Sequence, residues 1–149
     1  MSDRSGTDVF RYGVEVRFFE VDALGVVFNM WYLGWCDEAE NAFLEHRGFR
    51  YEDLNDMGLD AVLRKADVDW FDSLHAFERA EVEVRVEHIG TTSFRLGYDI
   101  HRLADPSRGV TAARCAHVSI TYVCVVSDGK ATTPMPPGLR AALEKEQGR

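Results

Sequence analysis

Apolar and polar residues alternate along most of the second half of this chain. Between Phe77 and Ile89, Ala80, Val82, Val84 and Val86 alternate with Glu81, Glu83, Arg85 and Glu87. Between Thr91 and Arg102, Phe94, Leu96, Tyr98 and Ile100 alternate with Ser93, Arg95, Gly97 and Asp99. Between Val110 and Val126, Val118, Ile120, Tyr122 and Cys124 share a parity with Ala112 and Ala116. A period of two places successive side chains on opposite faces, so these runs predict antiparallel strands with one packed face. Gly90 and the Asp105–Gly109 stretch supply turns between them. Leu59–Trp70 predicts a further strand. So does Phe10–Phe19, with Val14, Val16 and Phe18 on one face and Glu15 and Arg17 on the other.

The period changes after Asn29. Tyr32, Trp35, Cys36, Ala39 and Phe43 fall on one stripe at helical spacing, and Asp37, Glu38, Asn41 and Glu45 on the opposite face. This predicts a one-sided helix from Asn29 to Arg47, closed by Gly48. Tyr51–Met57 predicts a short helical turn ended by Gly58. Pro134, Pro136 and Pro137 lead into a short C-terminal helix. A strand, a long helix and then a run of long strands is an α+β order, and suggests a curved sheet wrapped round the helix. With 149 residues the chain is expected to form one domain, frayed at about 1–8 and 146–149.

Composition narrows the function classes. A net charge of −8 argues against nucleic acid or an anionic membrane as the main partner. No apolar run approaches the length of a membrane span, and Met1–Asp8 is short and polar. Cys36, Cys115 and Cys124 are odd in number and show no C-x-x-C spacing, as expected of free thiols in the cytoplasm. His46, His75, His88, His101 and His117 are dispersed, so neither a metal site nor a cofactor is expected. There is no glycine-rich phosphate loop.

The chemistry concentrates at Arg17–Asn29. Asp22 lies between the first apolar strand and the long helix, with Gly25 three residues on. An acid beside a helix N-terminus meets free backbone N–H groups and the positive end of the dipole. Acyl transfer needs such a pair, a base or nucleophile and an oxyanion site. An aspartate before a glycine is also a common turn residue, and Asn29 is a favoured helix N-cap. Glu20 stands near Asp22, and either shares its site or lies on the surface. Glu38 is a rival carboxylate, but with Asp37, Asn41 and Glu45 on the polar face it reads as part of a solvated charge run. Phe28, Trp31, Trp35 and Trp70 are core or pocket aromatics.

The run Phe18-Phe19-Glu20-Val21-Asp22-Ala23-Leu24-Gly25-Val26-Val27-Phe28-Asn29-Met30-Trp31-Tyr32-Leu33 resembles the hotdog-fold acyl-CoA thioesterases of the 4-hydroxybenzoyl-CoA thioesterase branch. Tyr51–Leu54, Met57-Gly58, Val68–Trp70, the H-I-G-T-T-S-F turn and the Pro-Met-Pro-Pro-Gly-Leu ending extend the resemblance over residues 12–143. Val21 stands where threonine is frequent, and Asn29 where several relatives carry histidine. The resemblance implies a hotdog fold, a central helix within a five- or six-stranded antiparallel sheet, assembled as a homodimer or homotetramer. It implies hydrolysis of an acyl-CoA to acid and CoA. Asp22 would be the catalytic carboxylate, Gly25 the point of close backbone approach, and the main chain of Asn29 the oxyanion donor. Phe28 and Trp31 would contact the acyl group. Release of an acyl chain from acyl carrier protein, and non-catalytic binding of acyl-CoA, are the competing readings.

Overall fold

The computed structural model describes residues 9–145; the expected frayed ends lie outside the described residues. Five strands form one antiparallel sheet: β1 (Phe10–Glu15), β2 (Leu59–Trp70), β3 (Arg79–Ile89), β4 (Ser93–Arg102) and β5 (Ala113–Val126). Their order is β1-β3-β4-β5-β2, which leaves β1 and β2 as edges. The predicted alternation decides which face is buried. Ala80, Val82, Val84, Phe94, Leu96, Tyr98, Ile100, Val118, Ile120 and Tyr122 all point into the core.

Helix α1 (Trp31–His46) closes that face with Tyr32, Trp35, Cys36, Ala39, Phe43 and Leu44. Gly48, at φ +93°, and the Phe49 amide on the Leu44 carbonyl terminate it. The shorter helices α2 (Tyr51–Asp56) and α3 (Pro137–Glu144) cover the C-terminal end of α1. The Tyr98 and Tyr122 hydroxyls lie 2.6 Å apart in the core, one donating to the other, so both buried oxygens have a partner.

Two predicted boundaries shift at the site. The first strand stops at Glu15, and Phe18–Glu20 form a 3-10 turn. Phe18, expected to face inward, is 72% exposed. Glu20 causes the change, because its carboxylate accepts the Arg17 amide at 2.8 Å and folds the chain out of the extended form. The helix starts at Trp31, with Met30 as its cap residue and no side chain capping it. Asn29 is therefore not the side-chain cap. β3 and β5 begin two and three residues later than the alternation predicted, at Arg79 and Ala113.

Candidate active site

The stretch from Val21 to Val27 is a small hairpin built from main-chain bonds. Val21 and Val27 bridge antiparallel, the Asp22 amide donates to the Val26 carbonyl at 2.8 Å, and the Gly25 amide donates back to the Asp22 carbonyl at 2.9 Å. Gly25 closes the turn at φ +84°, a left-handed conformation that glycine adopts without strain. The hairpin is stitched to the segment before β3. Val26 bridges His75 and the Val27 amide donates to the Leu74 carbonyl; the same segment also holds the residue after β1, with the Phe77 amide donating to the Val16 carbonyl and the Val16 amide to the Glu78 carbonyl.

Asp22 is half-buried in this turn. One carboxylate oxygen accepts the Leu24 amide at 2.8 Å, an Asx-type contact that orients the group. No cationic side chain pairs with it among the described residues. Beyond the hairpin, the Trp31 amide donates to Phe28 and the Tyr32 amide to Asn29. The amides of Asn29 and Met30 have no acceptor among the described residues. They are the unpaired donors of a helix start, beside a carboxylate held by the same short hairpin.

A pocket of about 250 Å³ opens at Asn29, between Val26 and Val27 on one side and Tyr32, Trp70 and Phe71 on the other. Asp72 and Ser73 complete its wall; the Ser73 amide and Arg102 hold the Asp72 carboxyl below its usual range. Tyr32 is buried there and its hydroxyl is pushed up to about 12, so it stays neutral. Phe28 and Trp31 stand at the surface and do not line this pocket; the Trp31 ring meets Phe19 edge-on at 5.5 Å. Leu24, Phe18 and Phe77 extend the exposed apolar rim around the hairpin.

Glu20 takes neither expected role. It is 7% exposed, and its second oxygen accepts the Trp35 indole N–H at 3.1 Å. Glu38 lies on the exposed polar face, as expected of a solvated charge. A serine–histidine–aspartate series went unnoticed in the sequence. Ser119 Oγ lies 3.4 Å from His117 Nε2, and His117 Nδ1 lies 2.9 Å from Asp99. It sits on the outer face of the sheet, where Ser119 donates its proton to Glu87 at 3.0 Å. The strand amides around it are committed to the ladder, so it has no oxyanion donors and is a surface polar network. Among the described residues no group of His, Cys, Asp and Glu side chains is arranged to hold a metal ion, and no helix is long and apolar enough to cross a membrane.

Residues 16–143 match the model of the thioesterase-like superfamily. A 1,4-dihydroxy-2-naphthoyl-CoA hydrolase of Synechococcus elongatus is 27% identical, covering 87% of this chain and 90% of its own. The crystal structure of a hypothetical protein from Aquifex aeolicus superposes at a TM-score of 0.81 with 25% identity, over 91% of this chain and 99% of that one. A 4-hydroxybenzoyl-CoA thioesterase variant complexed with 4-hydroxybenzoyl-CoA superposes at 0.81 with 13% identity, over 92% and 99%. The family match spans the hairpin, the helix and all four strands that follow it, and the five-stranded sheet is that of the hotdog neighbours. The chain belongs to the thioesterase-like superfamily, and is a thioester hydrolase built on the hotdog fold.

Proposed function

We propose that the protein hydrolyses an acyl-CoA at the Asp22 hairpin. The observation that carries this reading is the pairing of an oriented carboxylate without a cationic partner with two free amides, Asn29 and Met30, at the start of α1. The amides would hold the thioester carbonyl oxygen and the negative charge it gains on attack. Asp22 either attacks the carbonyl carbon itself or takes the proton from a water that does. Collapse of the tetrahedral intermediate breaks the C–S bond, and the CoA thiolate leaves and is protonated by solvent; where water attacks, the acid forms in that step, and where Asp22 attacks, the resulting anhydride is then hydrolysed by water to the acid and the Asp22 carboxylate. A thiolate leaves readily, so no acid beside the sulfur is needed. Gly25 keeps the hairpin free of a side chain where the thioester passes. The pocket under Asn29 would take the first part of the acyl group, with Phe28 and Trp31 outside it as contacts for the remainder.

CoA esters are favoured because the Synechococcus relative is named for one and the 4-hydroxybenzoyl-CoA thioesterase is seen with another. The exposed edge of β2 supports assembly as a homodimer, since pairing two such edges satisfies their free amides and carbonyls. A screen of short aliphatic, long aliphatic and hydroxylated aromatic acyl-CoAs, following free thiol, tests the reading. Turnover of at least one class is expected, and the absence of turnover on all of them would refute it.

A further inference from the structure

The segment after β1 and the segment before β3 present two exposed phenylalanines side by side, Phe18 and Phe77. Their rings are near-parallel, with an interplanar angle of 14° and centroids 6.5 Å apart. A cleft of about 310 Å³ is lined by both rings together with Glu15, Val16 and Arg17. The Arg17 guanidinium has no ion-pair partner among the described residues, and the Arg108 guanidinium lies over the Phe77 ring, 5.9 Å from its centroid. β1 stands at the opposite end of the sheet from β2, so the cleft is clear of the edge assigned to the partner.

The backbone of Phe77 is a second, independent observation. Its φ is +70°, a region that a bulky side chain rarely enters. Main-chain bonds hold it there: the Phe77 amide donates to the Val16 carbonyl, and the Glu78 amide to the His75 carbonyl at 3.2 Å. Nothing in the turn requires an aromatic residue, and glycine would fit it without strain. Strain of this kind collects where a side chain is aimed at a ligand. Here it sets an apolar ring in solvent, facing Phe18 across the cleft.

We propose that Phe18 and Phe77 clasp the adenine ring of the CoA ester, with Arg17 beside them for the nucleotide phosphates. This rests on the reading that the chain hydrolyses a CoA ester, and assigns the end of that substrate remote from the thioester. A planar ring between two others needs two contacts of about 3.5 Å, about 7 Å in all, so a small rotation of the exposed Phe18 side chain admits it. Purine faces stack well on aromatic side chains, and an arginine adds attraction for both the ring and a phosphate. Glu15 offers an acceptor at the cleft for the exocyclic amino group. The placement fits the length of the substrate. Phe18 precedes Asp22 by four residues, so the two lie at most about 14 Å apart along the chain. His75, two residues before Phe77, bridges Val26 of the hairpin. The pantetheine arm spans a gap of that order between thioester and nucleotide. Acyl carrier protein bears the same arm without the adenine, so the clasp selects CoA over that carrier.

Two measurements on the full chain test this. Calorimetric titration with adenosine 3′,5′-bisphosphate reads the clasp without turnover. Saturable binding is expected, weakened about tenfold in Phe18→Leu and retained in Phe18→Tyr, which restores a ring face. Phe18 is 72% exposed, so neither variant threatens the fold. In the second measurement, kcat/KM for an acyl-CoA is divided by kcat/KM for the S-acylpantetheine with the same acyl group. This ratio should fall about tenfold in Phe18→Leu and recover in Phe18→Tyr. A general defect of the hairpin would lower both rates and leave the ratio alone. No saturable binding of the bisphosphate, equal binding by wild type and Phe18→Leu, or a ratio unmoved in Phe18→Leu would each overturn the clasp. Binding of the bisphosphate that depends on Phe18, without turnover of any thioester, would refute hydrolysis and uphold the clasp.

Discussion

Glu20 and Trp35 are joined across 15 residues of sequence by a 3.1 Å hydrogen bond from the indole N–H to the buried carboxylate. The other oxygen of Glu20 holds the Arg17 amide, and its carbonyl receives the Phe28 amide at 2.9 Å. One residue thus fixes the chain on both sides of the Asp22 hairpin and ties it to the core face of α1. Glu20→Ala should leave the indole and the Arg17 amide unpaired and cost about 1–3 kcal/mol for each donor left without an acceptor. Urea unfolding measures the loss. Glu20→Gln, which keeps an acceptor for one donor, should cost less.

Asp22→Asn separates charge from geometry. The amide oxygen of asparagine can still accept the Leu24 N–H, so the turn survives and the unfolding midpoint should stay at the wild-type value. Thioester turnover should fall by about a hundredfold to ten-thousandfold, the range expected for loss of a catalytic base. Undiminished turnover would remove Asp22 from the reaction. Asn29→Ala should retain most turnover, because the donor assigned there is main chain.

Gly25→Ala has open space for its methyl group but a backbone at φ +84°. Its cost is therefore conformational, about 1–2 kcal/mol. Thermal unfolding should show that loss, with a larger fractional fall in turnover than in stability, since the strain falls on the hairpin that orients Asp22.

Glu40 makes stability depend on pH. Its carboxyl titrates near 4.5 when unfolded and about 8 in the folded chain, so the folded state holds the extra proton between those values. Stability should therefore be highest below the lower value and decline as pH rises through the window, levelling above it. Glu40→Gln should flatten this part of the profile and raise the melting temperature at neutral pH. A profile as steep in the variant as in the wild type would show that another group is responsible.

The sheet was legible because each strand buries one face, and Val82, Leu96 and Val118 announce that face by parity alone. The family motif made the Asp22 hairpin legible as well. The end of β1 was not, since the parity of Val14 and Val16 continues through Phe18 although the backbone turns. Glu20 was hidden because a carboxylate is ordinarily solvated, and its partner lies on another element. Glu40 left a signal that was passed over. It falls one turn after Cys36 and one before Phe43, on the apolar stripe of α1 where no charge belongs without a purpose.

The hairpin that presents Asp22 is held by main-chain bonds within itself and to Leu74 and Glu20, and the side chains of Asp22 and Glu20 add bonds from the Leu24 and Arg17 amides. The side chains of Ala23, Leu24 and Phe28 are exposed there and take part in none of those bonds; Leu24 and Phe28 contribute only their main-chain amides. A combinatorial library at those three positions could thus alter which acyl groups are accepted while the reacting carboxylate stays in register, making this short stretch an exchangeable cassette for engineering selectivity.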